Sequence, residues 1–247
     1  MMAVTGFILA GGQSSRMGRD KALLSVPRWR SGFSARDPEA TCRGMGQWLL
    51  IELVIERLRP HVERLVVIGN ASNSASFRDL KVDAVLTDLK PNFGPLMGLY
   101  TGLMHSETPL NLFVPCDMPW VEAQVIERLL NALEPGIDMV ASRAPRAGPV
   151  DECGAISRAT PPETGALRDR GSDGRVYPFP LLCHLSACRI IGALLDRRAL
   201  SLYELLHQPG SRLLTISEPE LLRGFTNVNT LADYVQLSDE LTVTSRS

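Results

Sequence analysis

The sequence predicts an α/β fold: a Rossmann-like three-layer sandwich, with helices on both faces of a mostly parallel sheet. Two observations predict it. The strand candidates are short, almost wholly apolar runs, as expected when both faces of a sheet are covered. Between them lie segments with apolar residues at helical spacing, the alternation that gives crossover connections. The 247 residues read as one domain, 1–247, interrupted by irregular inserts near 27–45 and 142–176.

The elements follow in order. Residues 4–10 form a buried strand running into Gly11 and Gly12. Residues 46–59 are predicted helical, because Leu50, Leu53, Val54 and Leu58 share one face. Strands are expected at 64–69 and 84–87, then a turn rich in Gly and Pro, a helix over 96–105, and a buried strand at 111–114. An amphipathic helix at 122–133 precedes a strand at 137–141. After the second insert, helices are predicted at 186–196, at 200–207 and beyond Thr230. The two inserts are rich in Arg, Gly, Pro, Asp and Ser and lack periodicity. Loops of such length are commonly functional or disordered.

Composition excludes several function classes. The hydrophobic fraction of 45% suffices for a core, and a net charge of −1 gives no basic field for nucleic acid or a membrane surface. A phosphate-bearing substrate must therefore be met by local cations and backbone N–H groups. The five cysteines are irregularly spaced with no CxxC pair, which argues against a zinc site or a disulfide framework. No window approaches the ~20 apolar residues that span a bilayer, and the N-terminus lacks the marks of a signal peptide. A cytoplasmic, monomeric protein is expected.

Four segments carry candidate chemistry. The first is FILAGGQSSRMGRDKALL, residues 7–24. Two glycines at a strand end let backbone amides approach an anion or a base edge. Arg16 and Lys21 then place two cations near that turn, as a triphosphate under attack requires. The motif is neither GxxxxGK[ST] nor GxGxxG, and the glycines alone could serve only the turn. The second is TDLKPNFGPLMGLYTGL, residues 87–103. Asp88 sits at the carboxyl end of a strand, where α/β sheets bind ligands; an N-cap or Asx turn explains it equally well. The third is LNLFVPCDMPWV, residues 110–121. Its strand delivers Asp117 to solvent, and a lone carboxylate there suits Mg²⁺, which keeps waters and shares phosphate oxygens. The alternative is a cap for the following helix. Cys116 reads as a packing residue. The fourth is GFTNVNTLADY, residues 224–234. Asn227 and Asn229 alternate outward before a helix that Thr230 would cap, although paired turn asparagines would look the same.

Together these segments resemble the molybdenum cofactor guanylyltransferases, within the wider family of sugar-nucleotide-type nucleotidyltransferases with GT-A-like folds. The first matches the family's LAGGxSxRMGxDK signature, the second its aspartate-turn-GPLxGL element, the third its CDxP aspartate and the fourth its NVNTxxD close. The order agrees with the family and spans nearly the whole chain. LAGG, rather than the LAAG of related cytidylyltransferases, and GPLMGL favour the guanylyl branch.

The resemblance implies a magnesium-dependent enzyme that transfers GMP from GTP to the terminal phosphate of molybdenum-bearing molybdopterin and releases pyrophosphate. It implies that Leu9, Ala10, Gly11 and Gly12 line the guanine and ribose, with Asn70 and Asp88 near the nucleotide. Arg16 and Lys21 would hold phosphates, Asp117 the Mg²⁺, and Asn227 and Asn229 the acceptor side. His184, within a looser likeness of the family's acceptor-side helix at 177–195, is a further candidate contact. Cofactor-delivery or acceptor proteins are the expected partners. A cytidylyltransferase, a sugar-1-phosphate nucleotidyltransferase and a non-catalytic nucleotide-binding adaptor are the competing readings.

Overall fold

The fold was derived from a computed structural model, which describes residues 2–11, 20–27, 47–145, 166–168 and 174–243. The first strand, β1 (Val4–Leu9), is flanked on both sides by parallel neighbours. It is followed by a 3-10 turn at Lys21–Leu23, a hairpin of β2 (Ser25–Pro27) and β3 (Gln47–Leu49), and helix α1 (Leu50–Leu58). Next come β4 (Arg64–Gly69), β5 (Ala84–Thr87), α2 (Pro95–Met104), β6 (Leu110–Pro115), α3 (Ala123–Asn131) and β7 (Met139–Ala144). The chain closes with β8 (Leu167–Arg168), β9 (Arg175–His184), α4 (Ala187–Asp196), α5 (Leu202–Leu206), β10 (Ser211–Thr215), α6 (Pro219–Leu222) and α7 (Leu231–Val243).

The sheet runs β10-β7-β9-β6-β1-β4-β5, with β8 paired to β9. Pairs β10–β7, β6–β1, β1–β4 and β4–β5 are parallel, whereas β9 is antiparallel to both its neighbours. Both faces are covered. On one side Ile8, Val67 and Val114 pack with Ile51, Val54 and Leu58 of α1 and Val125, Ile126 and Leu129 of α3. On the other Phe7, Ile68 and Phe113 pack with Leu96 and Leu99 of α2, Ile191 and Leu194 of α4 and Leu205 of α5. Phe7 stacks on Phe113 with ring centroids 4.9 Å apart. The three-layer expectation is met.

Three local expectations change. The helix predicted from 46 starts at Leu50, because Gln47–Leu49 pair antiparallel with Ser25–Pro27. Leu50 N–H donates to the Leu24 carbonyl, and the Leu49 N–H is taken by the Glu52 carboxylate, a capping contact that fixes the boundary. The helix buries Ile51 and Ile55 besides the expected residues. Leu53 turns instead toward a separate cluster of Val26, Val228 and Leu237.

The insert drawn at 142–176 is bounded by order at both ends: β7 continues to Ala144, and β8 and the start of β9 lie within 167–176. The segment 177–195, likened to a helix, divides in two: its first part, to His184, belongs to β9, and only from Ala187 does it become α4. Pro178 and Pro180 argue against a central strand, since neither has an N–H to donate. The chain resolves this by a register irregularity between Val140 and Ser142, so that the β7 partners skip from Tyr177 to Leu182. The prolines fall in the gap.

Candidate active site

The parallel strands β1, β4, β5 and β6 open at their carboxyl ends onto one cavity of about 780 Å³. It is a single space shared by three of the four sequence motifs. Leu9, Ala10, Gly11, Lys21, Asn70, Asp88 and Asp117 all line it. Gly12 and Arg16 lie outside the described residues.

One end of the cavity is built on the turn after β1. The Ala10 N–H donates to the Ile68 carbonyl at 2.8 Å, carrying the β1–β4 pairing one residue further. Beyond it, the Asn70 amide donates to the Gly11 carbonyl at 3.1 Å. Asp88 follows β5, its N–H bound to the Gly69 carbonyl at 2.9 Å. A side chain at residue 11 would collide with Asp88, since an ideal Cβ would lie 2.8 Å from Asp88 Oδ2. Glycine here therefore permits close approach, as the motif suggested. Asp88 Oδ1 is buried with no hydrogen-bond partner among the described residues. Burial pushes the Asp88 carboxyl up to about 6. It is a half-buried acceptor facing a space with room for a ligand.

The other end is charged. Asp20 accepts the Ala22 N–H and starts the 3-10 turn that presents Lys21. Lys21 Nζ donates to Asn229 Oδ1 at 2.6 Å and lies 3.7 Å from Asp117 Oδ2. Asn227 Nδ2 donates to Asp117 Oδ1 at 3.2 Å, and the Val228 N–H holds the Asp117 carbonyl at 2.8 Å. Burial raises the Asp117 carboxyl, and the Lys21 ammonium offsets part of that effect. The Asn–Val–Asn segment is anchored by α7. Asp233 accepts from the N–H groups of Asn229 and Thr230, while Thr230 Oγ1 caps the Asp233 N–H. The fourth motif thus braces the cation and carboxylate delivered by the first and third.

Two residues depart from expectation. His184 pairs with Leu110 at the amino end of β6, the opposite edge of the sheet from the cavity. It bonds Ser186 there, so strand direction puts His184 away from the cavity that gathers the other candidate residues. Cys116 lines the cavity, but burial, with the charges of Asp117 and Asp20, pushes its thiol well above the usual range. It stays a protonated packing residue, as expected.

The motifs did not single out Asn73, Phe93 and Phe179. Phe93 and Phe179 line the cavity and supply apolar wall. Asn73 stands behind it, and the spacing Asn70-Ala-Ser-Asn73 was its visible signal: an Asx-type turn directly after a strand.

Lys21 and Asp117, an amide-lined glycine turn and an unpartnered carboxylate sit on one cavity, an arrangement suited to holding a nucleotide by base and phosphates together. Comparison with known proteins agrees. Residues 6–209 match the MobA-like NTP transferase domain. The chain is 34% identical to a molybdenum cofactor guanylyltransferase of Serratia proteamaculans over 98% of both chains. It is 36% identical to that of Vibrio parahaemolyticus, over 54% of this chain and 58% of the relative. Among solved structures, molybdopterin-guanine dinucleotide biosynthesis protein A from Archaeoglobus fulgidus superposes with a TM-score of 0.64 at 17% identity, covering 97% of this chain and 99% of that one. The 2-C-methyl-D-erythritol 4-phosphate cytidylyltransferase of Thermus thermophilus shares the fold at a TM-score of 0.59 and 17% identity, over 98% and 100%.

Proposed function

The chain belongs to the MobA-like NTP transferase family, and from that premise we propose its reaction: transfer of GMP from GTP to the terminal phosphate of molybdenum-bearing molybdopterin. An oxygen of the acceptor phosphate attacks the α-phosphorus. The bond from that phosphorus to the oxygen bridging it to the β-phosphate breaks, and pyrophosphate leaves. The acceptor oxygen is already anionic near neutral pH, so no general base is required. Catalysis then rests on positioning and on charge stabilisation.

The observation that carries this reading is that Lys21 and Asp117 share one cavity with Gly11, Asn70 and Asp88. The backbone of Leu9, Ala10 and Gly11, with Asn70, receives the base and ribose. The Asp88 carboxylate accepts from N–H groups of guanine, which presents two donors side by side. Lys21 neutralises phosphate charge, held in place by Asn229 and Asp117. Arg16, outside the described residues, joins it in this reading, and Gly12 extends the glycine turn. Asn227 and Asn229 order Asp117 and Lys21 toward the acceptor side.

Asp117 fits a role as ligand to Mg²⁺. Its carboxylate is desolvated, and two amide side chains lie within reach of the cluster. No group of three His, Cys, Asp or Glu suited to a metal occurs among the described residues. A hard cation at Asp117 would therefore complete its shell with phosphate oxygens and water. Such an ion would withdraw charge from the phosphate oxygens.

The proposal extends to a monomer working in the cytoplasm, with cofactor-delivery or acceptor proteins taking the product. No helix among the described residues is long and apolar enough to cross a membrane. The deciding experiment incubates the protein with Mg²⁺, molybdenum-loaded molybdopterin and either GTP or CTP, and identifies products by mass. A guanine dinucleotide and pyrophosphate are expected. A cytosine dinucleotide would move the chain to the cytidylyl branch, and no product with either nucleotide would sink the proposal.

A further inference from the structure

Asn73 is 6% exposed and sits directly behind the cavity wall. Its amide is fully committed. Nδ2 donates to the Ala10 carbonyl at 2.8 Å and to Asp20 Oδ2 at 2.6 Å, while Oδ1 accepts the Asn70 N–H at 2.8 Å. The three partners come from separate parts of the chain: the end of β1, the cap of the Lys21 turn and the residue after β4. All three line the cavity. The neighbouring strand end has made room for this amide. An ideal Cβ on Gly69 would stand 2.7 Å from Asn73 Oδ1 and 3.1 Å from Phe77 Cε2.

We propose that Asn73 is a positioning residue that sets the spacing between the Ala10–Gly11 turn and the Asp20–Lys21 turn. Ala10 and Asn70 belong to the base-and-ribose end of the cavity, and Asp20 carries Lys21 at the phosphate end. One side-chain amide therefore ties the two ends into a single frame. Nothing else described joins Ala10, Asp20 and Asn70 at once. A shift of about 1 Å between groups that hold a substrate and groups that act on it can cost about 100-fold in rate, so this spacing matters to the chemistry without Asn73 touching the nucleotide. The inference rests on the nucleotide reading given above, though not on the identity of the base.

The test uses the full chain and near-isosteric changes. Asn73→Asp keeps the acceptor for the Asn70 N–H, but it faces Ala10 O and Asp20 Oδ2 with an oxygen instead of a donor. Adding Asp20→Asn to Asn73→Asp restores a donor–acceptor pair between the two side chains. Calorimetry with Mg²⁺ and either GTP or CTP would measure affinity, and thermal unfolding would report the fold. Asn73→Asp is expected to weaken nucleotide binding about tenfold or more. The double variant should recover part of that loss, because the contact to residue 20 returns while the Ala10 carbonyl still faces an oxygen, and Asn73→Ala should match the single aspartate variant. A protein that binds CTP in place of GTP, with the same loss and recovery, overturns the base assignment and supports the role of Asn73. Should Asn73→Asp lower the melting temperature and leave affinity unchanged, Asn73 merely supports the fold and the inference fails. Equal weakening in the single and double variants would overturn it as well.

Discussion

Two polar clusters sit at opposite edges of the same sheet, and they differ in how far their hydrogen bonding is satisfied. At the amino edge, Asp138 accepts the Ser186 hydroxyl, Ser186 bonds His184 Nδ1 at 2.8 Å, and the His184 N–H donates to the Asp138 carbonyl. Thr5, Ser106, Thr108 and Asn111 close a second network beside it. At the carboxyl edge, Asp88 keeps a buried oxygen with no partner among the described residues, and Asp117 bears a desolvated carboxyl beside a cation. A Ser, a His and an Asp in contact invite a catalytic reading at the first edge. Their geometry opposes it, because the serine lies between the other two and the histidine therefore cannot relay a proton from it toward the aspartate. The first cluster locks the turn into α4. The second leaves interaction capacity unused, and unused capacity beside a cavity marks the site.

The largest expected effect tests that contrast at Asp117. Asp117→Ala should lower transfer at least about 1000-fold, roughly 4 kcal/mol of transition-state stabilisation, with the melting temperature little changed. Single-turnover product formation at saturating GTP would measure it, and normal turnover would remove Asp117 from the chemistry. Lys21→Ala comes next, at about 100-fold, and should raise the GTP dissociation constant as well. It also strips Asp117 of the ammonium that offsets its burial, so the variant's rate should fall further as pH is lowered toward 5. A parallel pH profile for variant and parent would separate the two side chains.

The contrast also explains what could be read from the chain alone. The parallel strands β1, β4, β5 and β6 were legible, because each is an apolar run, three of them lead into a motif, and strand polarity places those ends together. Lys21, Asp88 and Asp117 could thus be assigned to one site. The antiparallel half was not. β9 carries Pro178 and Pro180, whose missing N–H groups signal a break, and only the skipped register against β7 reconciles them with a strand. His184 was drawn toward the acceptor by the likeness of 177–195 to a helix, whereas it closes an antiparallel strand at the other edge of the sheet. Asn73 escaped notice for another reason. Its bond to Asn70 is local, but its Ala10 and Asp20 partners are 63 and 53 residues away, and no local pattern encodes those two.

Asp88→Asn should weaken GTP binding about tenfold, since the amide offers a donor where guanine also donates. Stability should move the other way. Burial holds the folded carboxyl at about 6, above its ordinary value of 3.8. A raised folded value means that the acid's favourable contribution is complete below 3.8 and is lost as pH rises through 6. The asparagine escapes that loss. Its melting temperature should exceed the parent's at pH 8, with the gap closing as pH falls to 4. A constant gap would mean that packing, and not titration, sets the difference.

The smallest effect on activity is expected at the amino edge, and it is the most discriminating. Ser186→Ala removes the hydroxyl donor to Asp138 and the partner of His184. A partly buried carboxylate left short of a donor costs about 1–3 kcal/mol, which for a domain of this size lowers the melting temperature by about 2–4 °C per kcal/mol. GTP affinity and transfer rate should stay within about twofold of the parent, because β6 and β7 separate this cluster from the cavity by their full length. A tenfold fall in affinity at unchanged stability would show that the two edges communicate through β9. The amino-edge cluster would then belong to the function and not only to the fold.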